Sequence, residues 1–249
     1  MSIESADDWT GLRASARVTR RVLDALEGAV RPGVTTAALD AVAARILHEE
    51  GARSAPASEY GFPGTVLISL NDEIVHGIPG PREIVDGDLV KLDVTIEKDG
   101  YVTDAARTVV AGRGSELAAR LKACAEAAFY AGLAVARAGT PVSAIGRAVD
   151  AEVRRHGFRG VAGLCGHGVG RAIHEEPSVP NQFDPRQKDV LTDGLVITIE
   201  PMIAATTHRH VTDADGWTIR TFDGSLSAHY EHTLVVTGGA PVVLTAGGR

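Results

Sequence analysis

Cysteine is nearly absent: Cys124 and Cys165 are the only two in 249 residues. That excludes a disulfide framework and favours a reducing compartment, so the expected location is the cytoplasm. No stretch approaches the ~20 consecutive apolar residues that a membrane span needs. The opening MSIESADDWTGLRASARVTRR runs acidic and then basic, without the basic-then-apolar order of a secretory signal. An excess of basic charge is also missing. The net charge of −7 argues against a general nucleic-acid binder, which needs a cationic surface against phosphate. Membrane and nucleic acid therefore drop out as expected partners. Neither a Ser/Gly-rich linker nor a low-complexity tract divides the chain. Residues 1–249 read as a single domain, with residues 1–12, Trp9 among them, as a poorly patterned leader.

What the chain does have is an internal echo. RPGVTTAALDAVAARILHEEGAR opens at Arg31 and RAGTPVSAIGRAVDAEVRRHGFR at Arg137, an offset of 106 that still holds from Gly51 to Gly157. Each stretch predicts a turn and then a helix, with Thr35 or Thr36, and Ser143, as N-caps, and Gly51 and Gly157 as stops. Further helices are expected ahead of them, over about Ala14–Val30 and Glu116–Arg137. DGDLVKLD (Asp86–Asp93) resembles DGLVITIE (Asp193–Glu200), now at an offset of 107. Both are turn signals running into β-branched strands that end in a carboxylate. A second strand in each half carries another acid, Asp104 in VTDAARTVV and Glu231 in HYEHTLVV. The expected fold is α+β: two pseudo-symmetric helix–helix–strand halves, about 13–112 and 113–243, around a central antiparallel sheet.

The acids point to a metal. A carboxylate on an apolar strand is half buried or more, and burial is costly unless the charge is paired or ligates a cation. Asp93 and Asp104 flank the turn EKDG. If Lys98–Asp99 form the turn, cross-strand partners sum to 197 and the two acids face each other. If Asp99–Gly100 form it, the sum is 199 and they are diagonal neighbours. Either register puts both on one face, where like charges repel without a cation. Glu200 and Glu231 should repeat the arrangement. His167, among the small residues of LCGHGVGRAIHEEP, adds an imidazole. Four acids and one histidine form a mostly oxygen ligand set suited to Mn²⁺, Fe²⁺, Co²⁺ or Zn²⁺, and two divalent ions balance the charge. Paired ions of this kind activate a hydrolytic water.

FPGTVLISLNDEIVHGIPG, KLDVTIEKDGYVTDAART, GHGVGRAIHEEP, ITIEPMI and SAHYEHTLVVT resemble, in order and over about Arg13–Val243, the type I methionine aminopeptidases. The resemblance implies the pita-bread fold and removal of the N-terminal methionine from nascent polypeptides by attack of a metal-activated water. It implies Asp93, Asp104, His167, Glu200 and Glu231 as ligands, Asp104 and Glu231 bridging. Glu200 would also shuttle the proton, His174 would stabilise the oxyanion, and His76 would contact the scissile amide. Thr95 would support a ligand from behind. A monovalent cation would sit near Asn71 and Ser227. The substrate pocket would draw on His76, His174, Phe62, Leu67, Ile173 and Trp217. The implied protein is a monomer, and any contact with the ribosome falls to the catalytic domain itself.

The chain departs from the family in that pocket. Leu67 stands where a cysteine is common, Ile173 where many members have Phe, and Glu59 where an aromatic is common. His229 stands where Gln is often found. His48, His156, His208 and His210 read as helix-end or loop residues, Cys165 as a small core-facing thiol, and Glu175 and Glu176 as loop caps. Two rival readings are a pita-bread hydrolase of the prolidase or creatinase type, with Xaa-Pro preference, and a metal-free binding module of the same fold. The first carries an additional N-terminal domain; the second loses ligands, whereas all five are present.

Overall fold

The computed structural model describes residues 1–247. The first half runs α1 (Ala6–Ala29), α2 (Thr36–Glu50), β1 (Arg53–Ser54), α3 (Ala55–Tyr60), β2 (Leu67–Leu70), β3 (Glu73–Val75), β4 (Leu89–Lys98) and β5 (Tyr101–Val110). The second runs α4 (Glu116–Val135), α5 (Ser143–Arg155), β6 (Arg159–Gly160), β7 (Cys165–Gly168), β8 (Glu175–Pro180), β9 (Val196–Ile199), β10 (Met202–Ala204), β11 (His210–Thr212), β12 (Ile219–Thr221), β13 (Ser227–His229), β14 (His232–Val235) and β15 (Val242–Val243). This is the expected α+β arrangement, with every strand pairing antiparallel. No helix of the described residues is long and apolar enough to cross a membrane.

The helices form where caps and apolar spacing coincide. Thr35 caps α2 through its side chain, and Gly51 ends it at φ 60°, a left-handed conformation glycine adopts without penalty. Two helix expectations need correction. α1 begins at Ala6 rather than near Ala14, because Ser5 and Asp8 form a capping box that fixes the start a full two turns earlier. Residues of this first stretch pack onto the fold: Leu12 is fully buried, and Met1, Ile3 and Trp9 pack against the cluster of Val169, Ile173 and Val196. The second correction is at α5, where Val142, not Ser143, is the N-cap and no side chain caps it.

Each helix pair covers its own sheet. α1 and α2 bury Val22, Leu23, Leu26, Leu39 and Ile46 against Ile68, Leu92 and Val94. α4 and α5 bury Leu121, Phe129, Ile145 and Val149 against Ile197, Ile199 and Leu234. Each such side chain contributes about 1.5–3 kcal/mol on full burial. In the first sheet β4 lies between β1 and β2 and also pairs with β5; in the second the order is β15-β14-β9-β7-β8.

The β4–β5 hairpin resolves the register left open by the sequence. Asp99 and Gly100 have φ of 52° and 81°, the positive pair a tight two-residue hairpin requires. Cross-strand partners therefore sum to 199: Asp93 faces Ala106, and Thr95 faces Asp104. The halves join along β5. Ala106 and Glu231 exchange backbone hydrogen bonds of 3.2 and 2.9 Å. On one side the Thr233 hydroxyl clasps the backbone of Asp104 (2.8 and 2.9 Å), and on the other the Thr108 hydroxyl clasps that of His229 (2.7 and 2.9 Å). These bonds place the acid of one half against the acid of the other.

Candidate metal centre

Asp93 on β4, Asp104 on β5, His167 on β7, Glu200 just beyond β9 and Glu231 between β13 and β14 converge at this seam. All five are at most 8% exposed. No lysine or arginine of the described residues pairs with any of the four carboxylates; their only close counter-groups are imidazoles. His167 Nε2 lies 3.3 Å from Glu200 and 3.9 Å from Asp104, and His229 Nε2 lies 3.6 Å from Glu231. Asp93 Oδ1, Asp104 Oδ1 and Glu231 Oε1 are buried without any hydrogen-bond partner among the described residues.

Burial pushes Asp93, Glu200 and Glu231 well above the usual carboxylate range, and the charge of Asp104 adds to this in all three. Burial also raises Asp104, with the Thr95 hydroxyl opposing it. Four anions held this close without a cation are unstable as anions. The orphaned oxygens and the absence of a basic partner fit divalent metal. Two groups of residues can each bring ligand atoms within 4.8 Å of one another: Asp104, His167 and Glu231, and Asp93, His229 and Glu231.

The strand carrying His167 is built for close approach. A Cβ at Gly166 would lie 2.6 Å from Thr198 O, and one at Gly168 would lie 2.3 Å from Glu176 O. Only glycine lets β7 lie this tightly between β8 and β9. The Thr198 hydroxyl accepts from His167 N at 3.0 Å and donates to Glu200 Oε1 at 2.8 Å, tying two expected ligands to one side chain. His167 Nδ1 sits 2.9 Å from Gly168 O. That contact requires a proton on Nδ1 and leaves the Nε2 lone pair facing the carboxylates. Burial also lowers the His167 pKa, keeping the ring neutral.

A cavity of about 460 Å³ opens onto the acids. His76 and His174 line it, as do Phe62, Leu67, Ile173 and Trp217, so all the expected pocket residues are brought together. Phe62 and Trp217 meet edge to face, with centroids 5.2 Å apart. His76 is held at φ 63°, a conformation that costs about 1–3 kcal/mol in a non-glycine residue and clusters at functional sites. Burial pulls its imidazole down to about 4, with His174 adding to the effect. His174 is lowered too, by burial and then by His167.

Several contributors were not legible in the sequence. Tyr60 Oη lies 2.7 Å from His174 Nδ1, although nothing about the end of a six-residue helix signals this. Glu59 accepts from Ile173 N with both oxygens at 3.2 Å, holding the residue beside His174. Val75 and Met202 complete the apolar wall. Thr198 could have been found, since it sits two residues before Glu200 and strand periodicity is two. Cys165, expected to face the core, lines the cavity instead. Glu175 does cap a loop, accepting from Arg171 N, Ala172 N and the Met1 ammonium.

The oxygens near Asn71 and Ser227 do not fit the expected monovalent cation. Lys91, 1% exposed, donates from Nζ to Asn71 O at 2.7 Å and to Ser227 O at 3.4 Å. The Ser227 hydroxyl lies against Asn71 O and Glu73 O. An amine already takes the place. Burial draws Lys91 down to about 7, with Glu73 and Asp72 opposing. His48 is exposed on α2 and His208 exposed in a loop; His156 pairs with Glu152 at the end of α5. None of these approaches the centre.

The pattern of metallopeptidase family M24 matches residues 10–238. A protein from Bacillus subtilis (strain 168) named methionine aminopeptidase 2 is 40% identical over 247 residues, 98% of this chain and 99% of that relative. The crystal structure of methionine aminopeptidase from Rickettsia prowazekii superposes with a TM-score of 0.95 at 33% identity, covering 99% of this chain and all of that one. A prolidase from Pyrococcus furiosus shares the fold at a TM-score of 0.80 and 20% identity, but this chain covers only 66% of it.

Proposed function

The chain belongs to metallopeptidase family M24, and from that premise we propose that it is a methionine aminopeptidase whose centre is Asp93, Asp104, His167, Glu200 and Glu231. The observation that carries the reading is the convergence of these five buried side chains, with orphaned carboxylate oxygens, in a cavity also lined by the apolar Phe62, Leu67, Val75, Ile173, Met202 and Trp217. These five side chains would hold two divalent ions between them, with Thr95, opposite Asp104 across the hairpin, supporting Asp104. When bound, such ions supply an activated water and polarise the scissile carbonyl.

The chain's own residues do the rest. Glu200 accepts the proton of the attacking water and returns it to the leaving nitrogen; Thr198 holds its other role fixed by donating to Oε1. His174 donates from Nε2 to the carbonyl oxygen as charge develops there. For that, Nδ1 must be the unprotonated nitrogen, so the Tyr60 hydroxyl donates to it. His76, neutral at physiological pH, contacts the scissile amide. Phe62, Leu67, Ile173 and Trp217 receive one unbranched apolar side chain. Such a wall separates methionine from leucine or norleucine only weakly.

Residues 1–249 act as one catalytic unit in this reading, with the halves at about 13–112 and 113–243 sharing the centre. The protein works as a cytoplasmic monomer on nascent chains, and its ions are drawn from Co²⁺, Mn²⁺, Fe²⁺ and Zn²⁺. The test is a peptide panel assayed on chelator-stripped protein resupplied with each metal. Release of free methionine from Met-Ala-Ser, with no cleavage of Xaa-Pro peptides, is expected. Metal-independent hydrolysis, or a preference for Xaa-Pro, overturns the proposal.

A further inference from the structure

His229 is the one imidazole at the centre whose purpose the reaction leaves unexplained. It is 1% exposed, and among the described residues neither Nδ1 nor Nε2 has a hydrogen-bond partner. A buried polar group left unpaired is rare, and one ring with both nitrogens unpaired is rarer still. Its backbone is fixed at both N–H and C=O by the Thr108 hydroxyl, and, two residues on, Glu231 is held in the same way by the backbone of Ala106. Its Nε2 faces Glu231 Oε2 at 3.6 Å. A ligand atom of Asp93 completes the group, all within 4.8 Å of one another. Neither Asp93 Oδ1 nor Glu231 Oε1 has another partner.

We propose that His229 is a nitrogen ligand of the ion at the Asp93 end of the centre. The inference rests on the metal-centre reading above and extends it. The centre then consists of two like sites, each with an imidazole and carboxylates: His167 with Asp104 on one side, His229 with Asp93 on the other, and Glu231 common to both. Without His229 the Asp93 site has oxygen donors only, which suits harder cations; an imidazole moves it towards Zn²⁺, Co²⁺ and Fe²⁺. A ligating imidazole uses one nitrogen as the lone-pair donor and keeps a proton on the other. Nε2, the nitrogen facing Glu231, takes the metal, and Nδ1 keeps its proton in a buried setting that slows exchange.

Chelator-stripped full-length protein loaded with two equivalents of Co²⁺ tests this directly. Proton NMR of the cobalt form should show two paramagnetically shifted, exchangeable imidazole N–H resonances, one from His167 and one from His229. The His229→Gln variant should keep one. Calorimetric titration of the stripped proteins should show His229→Gln weakening one of the two cobalt steps by about 10-fold or more, at least the loss seen when a mere supporting residue is removed, with the other step unchanged. Tight uptake with a single shifted N–H in the wild type, unaltered in the variant, overturns the proposal while leaving the metal centre intact. Failure of the wild type to take up cobalt removes the metal-centre reading and the proposal with it. The wild-type resonance count needs no variant, so misfolding of His229→Gln does not rescue the idea.

Discussion

Replacing Glu200 by Gln should separate activity from stability in opposite directions. Gln is isosteric and can still meet the Thr198 hydroxyl, now 2.8 Å from Oε1. The backbone carbonyl of residue 200 keeps its 2.9 Å bond from Asn181 Nδ2. The fold therefore loses nothing, and the stripped protein loses one of four mutually repelling buried acids, since burial and then Asp104 raise the pKa of Glu200. Stripped Glu200→Gln should melt at or above the temperature of stripped wild type at pH 7.5. Catalysis should move the other way. A positioned general base contributes about 10²–10⁴-fold, equivalent to about 2.7–5.5 kcal/mol of barrier at 1.36 kcal/mol per decade. With saturating metal, kcat on Met-Ala-Ser should fall by at least about 100-fold. Calorimetry and steady-state kinetics on the same preparation give both numbers. A variant within 10-fold of wild-type kcat would falsify Glu200 as the proton carrier, and a lower melting temperature of the stripped variant would refute the repulsion argument.

Three further outcomes follow from the geometry. Tyr60→Phe removes the donor to His174 Nδ1, 2.7 Å away, and Tyr60 is 49% exposed; kcat should fall about 3- to 10-fold for a hydrogen bond worth about 0.5–1.5 kcal/mol, with melting unchanged, and an unaltered kcat would remove Tyr60 from the mechanism. Lys91→Ala leaves the carbonyls of Asn71 and Ser227 without their amine, at a cost of about 1–3 kcal/mol, and should make the melting temperature respond to Na⁺ or K⁺ where the wild type does not; a cation response in the wild type contradicts the occupancy by Lys91. In the stripped protein the folded-state pKa of Glu231 lies well above its unfolded value. The folded state thus holds the extra proton, and stability falls as pH rises from about 4 through the raised value. The melting temperature of stripped Glu231→Gln should accordingly pull ahead of stripped wild type as pH climbs from 5 to 8, and a gap that narrows would reverse the sign.

Much of the candidate centre was legible in the sequence because the two halves echo each other. Offsets of 106 and 107 pair the helices and the strand ends, and strand periodicity alone puts Asp93 and Asp104 on one face. What stayed hidden depended on groups meeting across long separations. Tyr60 reaches His174 from 114 residues away. Lys91 reads as an ordinary charged residue in KLD, and only the fold shows its amine turned inward to two backbone carbonyls. The extra two turns of α1 were readable, since Ser5 and Asp8 have the spacing of a capping box, but the polar run that follows masks the apolar stripe. The hairpin register turned on the single question of which residues take positive φ, and Asp99–Gly100 is the pair that tolerates it.

That register explains how the two halves differ. A sum of 199 makes Asp93 and Asp104 diagonal in the first half. In the second half His232 faces Ile199, and the same register carried one residue further brings Glu231 opposite Glu200. Repeat-related acids are therefore offset differently, so the duplicated strands do not produce a symmetric square of carboxylates. The offset matters because both imidazoles enter from the second half: His167 on β7 stands beside Glu200, and His229 on β13 stands beside Glu231. The first half supplies oxygen only, from Asp93 and Asp104, and the threonine clasps at Asp104 and His229 fix its position against the nitrogen-bearing half. Loosening one clasp by Thr108→Val should shift His229 and Glu231 together while leaving Thr198, His167 and Glu200 in place. A cobalt titration of that variant should weaken one step alone. Equal weakening of both steps would mean that the seam holds the centre as one rigid unit and not as two separately supported sites.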